Sequence, residues 1–191
     1  RYSDDDYVYG TAANDYLVSV IDQLPKGKTL CLAEGEGRNA VFLASKGFDV
    51  LAVDASDVGL KKAEKLASSR AVTIETLCID LADFQIKPGS WDVIVSIFCH
   101  VPPDIRKGLH QQVVEGLSPG GMLVLEAYRP EQLQYKTGGP PSAEAMMTLA
   151  TLKEELAGLE IIHGEELVRE VVEGKYHTGK GAVVQVLARK P

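Results

Sequence analysis

Gly35-Glu36-Gly37-Arg38-Asn39-Ala40 begins where an apolar run ends and a helical pattern starts, and Asp54 stands nineteen residues beyond Gly35, after the next apolar run. Glycines at such a junction let a ligand approach bare backbone, Ala40 lets the helix pack closely, and a carboxylate at Asp54 can accept from both hydroxyls of a ribose. The chemistry that fits is the binding of an adenosine-containing cofactor. The glycines alone also occur in ordinary tight turns, so the pair carries the reading.

A glycine pattern with an acid downstream suits a nicotinamide dinucleotide as well, and an NAD-binding oxidoreductase is the rival enzyme class. A pyrophosphate wants neutral or positive surroundings at a helix start. Here Glu34 and Glu36 flank the loop, and two carboxylates better suit a sulfonium and an α-amino group. Asp80, in Leu77-Cys-Ile-Asp-Leu-Ala82, follows the third apolar run, where it can accept from an adenine amine or simply cap a turn. At 191 residues there is no room for a second domain holding a hydride acceptor.

The elements that must position these residues alternate. Strand-like runs span Thr29 to Ala33, Asp49 to Val53, Val72 to Ile79, Asp92 to Ile97 and Met122 to Ala127, with helical patterns between them. That order predicts a parallel sheet covered on both faces. Residues 1–28 read as a loop and a helix with Leu17, Val20, Ile21 and Leu24 on one face. Ser56 caps a helix through Lys65, and Ser118-Pro-Gly-Gly121 turns into the fifth strand. Thr151 with Glu154 reads as a capping box for a helix that Gly158 ends. Leu159 to Val172 and Ala182 to Ala188 form an antiparallel pair at the sheet's edge. Residues 129–142 include a Gly/Pro-rich stretch, too long for a plain connection, that can wall a substrate pocket. The whole, 1–191, is expected to be one domain.

Composition excludes several classes. Twenty Lys and Arg against 27 Asp and Glu leave a net charge of −7, the wrong sign for nucleic acid or an anionic membrane. Cys31, Cys78 and Cys99 are widely spaced, which suggests neither a metal site nor a disulfide framework and fits a cytoplasmic setting. No apolar run is long enough to span a bilayer, and the acidic start is unlike a signal peptide.

Leu30-Cys-Leu-Ala-Glu-Gly-Glu-Gly-Arg-Asn-Ala-Val-Phe-Leu-Ala44, Val53-Asp-Ala-Ser56, Cys78-Ile-Asp-Leu81, Trp91-Asp-Val-Ile-Val-Ser96 and Leu117-Ser-Pro-Gly-Gly-Met-Leu-Val-Leu-Glu126 resemble the successive motifs of class I S-adenosylmethionine-dependent methyltransferases. The Gly-Arg-Asn-Ala segment and the short chain look most like their tellurite-resistance and thiopurine methyltransferase-like branch. The resemblance implies an α/β fold with a Rossmann-like, doubly wound seven-stranded sheet, six strands parallel and the last antiparallel, with helices on both faces. It implies S-adenosylmethionine as cofactor and S-adenosylhomocysteine as product. Gly35 and Gly37 would lie by the methionine part, Asp54 by the ribose and Asp80 by the adenine, with Glu34, Arg38, Asn39, Ala55, Ser56, Leu81 and Ser96 completing the cofactor set. The family usually has Asp and Gly where this chain has Cys31 and Ala33, and Glu34 can supply the missing carboxylate.

The acceptor is expected to be a small molecule of the thiol, selenium or tellurium kind, and the protein a monomer or homodimer. Phe98-Cys-His-Val-Pro-Pro103 after the fourth strand lacks the Asn/Asp-Pro-Pro-aromatic motif of amide and adenine N-methyltransferases, which disfavours amino acceptors. His100 is the candidate base or orienter. Arg129, Tyr176 and His177 are candidates to reach over the same mouth, whereas His110 and His163 read as facing solvent or a turn, and Lys61, Lys62, Glu64 and Lys65 as a solvated helix face. Cys99 reads as a buried strand-end thiol. A non-catalytic cofactor-binding sensor or partner subunit is the alternative outside enzymes.

Overall fold

The computed structural model describes residues 7–174 and 177–191. In chain order the elements are α1 (Asp15–Val20), β1 (Lys28–Leu32), α2 (Arg38–Ser45), β2 (Asp49–Asp54), α3 (Asp57–Ser69), β3 (Glu75–Cys78), β4 (Trp91–Ile97), α4 (Pro103–Gly116), β5 (Leu117–Tyr128), α5 (Leu149–Glu155), β6 (Glu160–Glu173) and β7 (His177–Arg189). The strands form one sheet in the order β3-β2-β1-β4-β5-β7-β6. β1 to β5 run parallel, β7 is antiparallel to both β5 and β6, and six strands therefore share one direction. The fold is the Rossmann-like methyltransferase fold that the motifs imply.

Alternation along the central strands divides the core in two. Leu30, Leu32, Ile94, Leu123 and Leu125 face α4 and α5. Cys31, Val93, Val95 and Val124 face α1, α2 and α3. A strand buried on both faces is apolar at every position, which explains why the runs read as continuous rather than alternating. The order of strand addition reverses between the parallel strands β1 and β4, and a crevice opens at their carboxyl ends, where open parallel sheets bind ligands.

Several local expectations need correction. β3 covers only Glu75–Cys78 and not Val72 onward, because Val72 N–H is taken by Ala67 O in the turn that ends α3. Ser56 Oγ does accept Gly59 N–H, but α3 runs on to Ser69. Thr148, not Thr151, caps α5: its Oγ1 accepts the Thr151 N–H at 3.1 Å, and Thr151 lies within the helix. The Ser118–Gly121 turn is absorbed into β5 as a register shift against β4, with Gly120 at φ +82°.

Candidate functional site

The loop between β1 and α2 is built on left-handed backbone: Ala33, Gly35 and Gly37 have φ of 51°, 62° and 86°. Ala33 holds this conformation with a side chain, which costs about 1–2 kcal/mol. Ala33→Gly is therefore expected to stabilise the fold by about 0.5–1 kcal/mol after the entropy of the added glycine is charged against it. A melting temperature that fails to rise would remove the strain. Gly37 is needed for a different reason from ligand approach. A Cβ there would lie 2.4 Å from the Cβ of Ala63, so its absence lets α2 cross α3.

Asp54 ends β2 and ties two loops together. Its Oδ2 accepts the Gly35 N–H at 2.8 Å and its Oδ1 the Ser56 N–H at 2.8 Å, leaving further lone pairs on both oxygens toward the crevice. Glu34 is half-buried, and its Oε1 accepts the Asn39 and Ala40 N–H groups at 3.0 and 2.7 Å, capping α2. Burial pushes its carboxyl up to about 7, with Asp54 adding to the rise and the two amides and Arg38 opposing it. Cys31, directly below, has its thiol pushed well up by burial and by Glu34.

Glu36 does not face a ligand as a free acid. Its Oε2 accepts the Val8 and Tyr9 amides at 2.7 and 3.4 Å, and its Oε1 pairs with Lys62 Nζ at 2.8 Å. Lys62, expected in solvent, has a side chain only 14% exposed. Arg38 donates to Ala12 O, and Asn39 Oδ1 accepts the Asn14 N–H, so the segment from Tyr7 to Asn14 is strapped along the glycine loop. Arg38 also pairs with Glu173 at 2.6 Å, and Glu173 takes Asn14 Nδ2 at 2.7 Å. Beside them Arg169 pairs with Glu126, whose carboxyl is raised by burial despite that partner.

A cavity of about 740 Å³ lies at the crevice, within the range of small-molecule sites. One side carries Glu34, Glu36, Arg38, Asn39 and Asp54. The other is formed by Ile97, Phe98, His100, Val101 and the loop Gly138 to Pro141, with Tyr9 and Gly10 from the strap. The Gly/Pro stretch thus does wall the pocket. Gly139 allows it, since a Cβ there would meet the Tyr128 ring at 3.0 Å.

His100 is pinned. Its Nε2 accepts the Tyr128 N–H at 3.0 Å, which leaves Nδ1 to donate to Phe98 O at 3.1 Å. Both ring nitrogens are engaged by backbone and the neutral tautomer is fixed, so this geometry fits an orienting wall and not a base. Phe98, Tyr128 and His100 stack with centroids 4.6 to 6.2 Å apart, and Phe98, like Ala33, has a positive φ of 51°. Strain at two residues of one cavity is what a functional site commonly retains.

Several other residues singled out in the sequence do not line this cavity. Asp80 is exposed, and its Oδ1 accepts the Ala82 N–H as a turn cap. Leu81 and Ser96 are buried, Ala55 is exposed, and none of the three lines the cavity. Arg129 pairs with Glu166 at 3.1 Å and is likewise absent from the lining. Tyr176 and the side chain of His177 lie outside the described residues. Cys99 is buried, as expected, with its thiol pushed up to about 12 by burial. His110, expected near solvent, is buried against Glu155 at 2.7 Å, and Glu155 also takes Arg106 at 2.9 Å. Arg106 Nη1 reaches on to the carbonyls of Glu144 and Met146. Arg106 and His110 are four apart on α4 beside Leu109 and Val113, so helical spacing places them on the buried face.

Residues 30–121 match the family model described as a methyltransferase domain. That segment is similar to a methyltransferase domain, and the fold is the Rossmann-like fold of methyltransferases. The thiocyanate methyltransferase 1 of Brassica oleracea is 28% identical over 141 residues, 71% of this chain and 61% of that protein. A carboxy-S-adenosyl-L-methionine synthase of Trichlorobacter lovleyi is 33% identical over 93 residues, 45% of this chain and 38% of that one. TehB from Haemophilus influenzae superposes with a TM-score of 0.77 at 22% identity, over 95% of this chain and 64% of that one. The chain spans about half the length of the curated relatives it matches. Among the described residues, no helix is long and apolar enough to cross a membrane.

Proposed function

We propose that the protein transfers the methyl of S-adenosylmethionine to a small, soft nucleophile, a thiol, selenium or tellurium compound, with one domain supplying both cofactor and acceptor walls. The chemistry of the lining fits that cofactor. Carboxylates of Glu34 and Asp54 suit an α-amino group and ribose hydroxyls, Arg38 suits a carboxylate, and a pyrophosphate would meet the acids Glu34 and Glu36 beside the helix start. When bound, the cofactor supplies an electrophilic methyl on sulfur.

The observation that carries the acceptor class is the opposite wall. Ile97, Phe98, His100, Val101 and Gly138 to Pro141 bring no charged side chain, and His100 has its acceptor nitrogen committed to Tyr128 N–H. Such a wall orients and dries an acceptor without removing a proton from it, so positioning supplies the acceleration. An acceptor that is already an anion or a polarisable lone-pair donor needs nothing more, and aromatic faces favour sulfur. The thiocyanate methyltransferase and the TehB likeness support this reading and the narrower branch.

The test is turnover of labelled cofactor against a panel of thiols, selenide, tellurite, amines and alcohols. Soft acceptors are expected to be methylated and amines not. His100→Gln, which can still accept from Tyr128 N–H, is expected to lose less than about tenfold in turnover, where loss of a general base costs about 100-fold or more. A hundredfold drop with unchanged cofactor affinity would make His100 the base after all.

A further inference from the structure

The Gly138 to Pro141 wall has no ladder of its own. Among the described residues, no backbone–backbone hydrogen bond reaches 137–141, and side chains hold the stretch in place. The tie is Gln132, which sits in a short 3-10 helix, Pro130–Gln134, just after β5 and is only 1% exposed. Its Oε1 accepts the Ala182 N–H of β7 at 2.8 Å, and its Nε2 donates to Thr137 Oγ1 at 2.9 Å and to Gly138 O at 3.1 Å. Because an N–H only donates and a carbonyl only accepts, these partners fix which way the amide points. Thr137 Oγ1 in turn donates to Lys180 O at 2.5 Å, a second anchor on the same strand. One residue past Gly138, Gly139 lies so close to the Tyr128 ring that a Cβ would meet it at 3.0 Å, and Tyr128 stacks on Phe98 with centroids 4.6 Å apart. One buried amide therefore sets the spacing between the loop and the aromatic stack, although neither Gln132 nor Thr137 itself lines the cavity.

We propose that Gln132 is a positioning residue that decides which acceptors the cavity admits, holding the wall through Thr137 and Gly138 so that compact sulfur nucleophiles fit and bulky ones are turned away. The proposal rests on the acceptor reading above and narrows it. A pocket sorts acceptors by size only as firmly as its walls resist displacement, and a misfit of a carbon or so is worth about tenfold to 200-fold. Without the tie the wall can retreat. The room gained goes to the acceptor, since the cofactor side stands on β1, α2 and β2 and does not lean on this loop. A small acceptor then loses attack geometry while a large one gains space.

The experiment compares kcat/KM for hydrosulfide and for thiophenol, with labelled cofactor, in the full chain and in Thr137→Val, Thr137→Ser, Gln132→Leu and the Thr137→Val, Gln132→Leu double variant. Thr137→Val keeps the side chain's shape without its hydroxyl, and Thr137→Ser keeps the hydroxyl. Wild-type protein is expected to prefer hydrosulfide, and Thr137→Val to shift the preference toward thiophenol by about tenfold. Thr137→Ser should restore it to within about twofold, and the double variant should shift it no further than Gln132→Leu, because both changes break one tie. The dissociation constant of S-adenosylhomocysteine is expected to stay within about twofold throughout, while the Gly138 and Gly139 amides exchange with solvent about tenfold faster in Thr137→Val. A wild-type preference for thiophenol, a preference that Thr137→Val leaves unmoved, or one that Thr137→Ser does not restore would overturn the proposal. So would a parallel loss of cofactor affinity, the mark of general loosening. If Gln132→Leu does not fold, the variants at the half-buried Thr137 decide alone. Turnover of neither sulfur compound by wild-type protein would bring down the acceptor reading and this proposal with it, whereas turnover with an unmoved preference brings down the proposal only.

Discussion

Glu155→Ala is expected to destabilise the fold by about 3–5 kcal/mol, the usual cost of removing one partner of a buried ion pair. The Glu155 carboxylate is 10% exposed and holds both Arg106 and His110, whose side chains are 8% and 4% exposed. Truncation leaves a guanidinium with carbonyls for company and no counter-charge. Desolvation alone would raise the Glu155 carboxyl, but the hydrogen bonds from His110 and Arg106 outweigh it and hold it at about 2, below the ordinary 4.5. A lowered carboxylate contributes stability that is present above 4.5 and is lost as pH falls toward 2. Urea unfolding at pH 7 and pH 3 checks both statements. A cost below 1 kcal/mol at pH 7 would mean that the cluster relaxes around the loss. Because Arg106 also binds the Glu144 and Met146 carbonyls, the same variant should loosen the segment that follows the Gly138 to Pro141 wall.

Asp54→Ala is expected to weaken S-adenosylmethionine binding by about 2–3 kcal/mol, or roughly 30- to 150-fold. Two effects add. The ribose hydroxyls lose a charged acceptor, and the Gly35 and Ser56 amides lose the group that fixes their loops. Asp54→Asn separates them, since its carbonyl oxygen replaces one acceptor while the charge is gone, and an intermediate loss is expected. Calorimetry on folded variants is the measurement. An unchanged dissociation constant for Asp54→Ala would take the residue out of the site.

Asp54 and the sheet were legible in the sequence because they follow from local pattern. Strand runs, the Ser56 cap and the spacing from Gly35 to Asp54 depend on residues near one another in the chain. What escaped depends on contacts across distance. Glu36 looks like a loop acid until the Val8 and Tyr9 amides, 28 and 27 residues earlier, are laid on it. Lys62 sits among solvated lysines by sequence, yet its helix delivers it to Glu36. His100 was read from its place at a strand end, which the fold bears out. That its lone pair is spent on Tyr128, 28 residues later, no spacing could tell. His110 had a signal that was passed over, its position on the apolar face of α4.

The outermost strand, β6, has a bearing on how concentrated solutions of this protein behave. Fourteen residues long and, among the described residues, paired only with β7, it offers an open edge of backbone donors and acceptors, with Ile162, Val168 and Val172 exposed along it. Such a border invites another chain to lengthen the sheet, and charge is the usual deterrent. Glu160, Glu165, Glu166 and Glu170 supply it, since a second copy aligned on this border would set acid against acid. A deterrent made of exposed charge is weakened by salt, so raised ionic strength is expected to bring copies together along this border, and light scattering against salt concentration checks it.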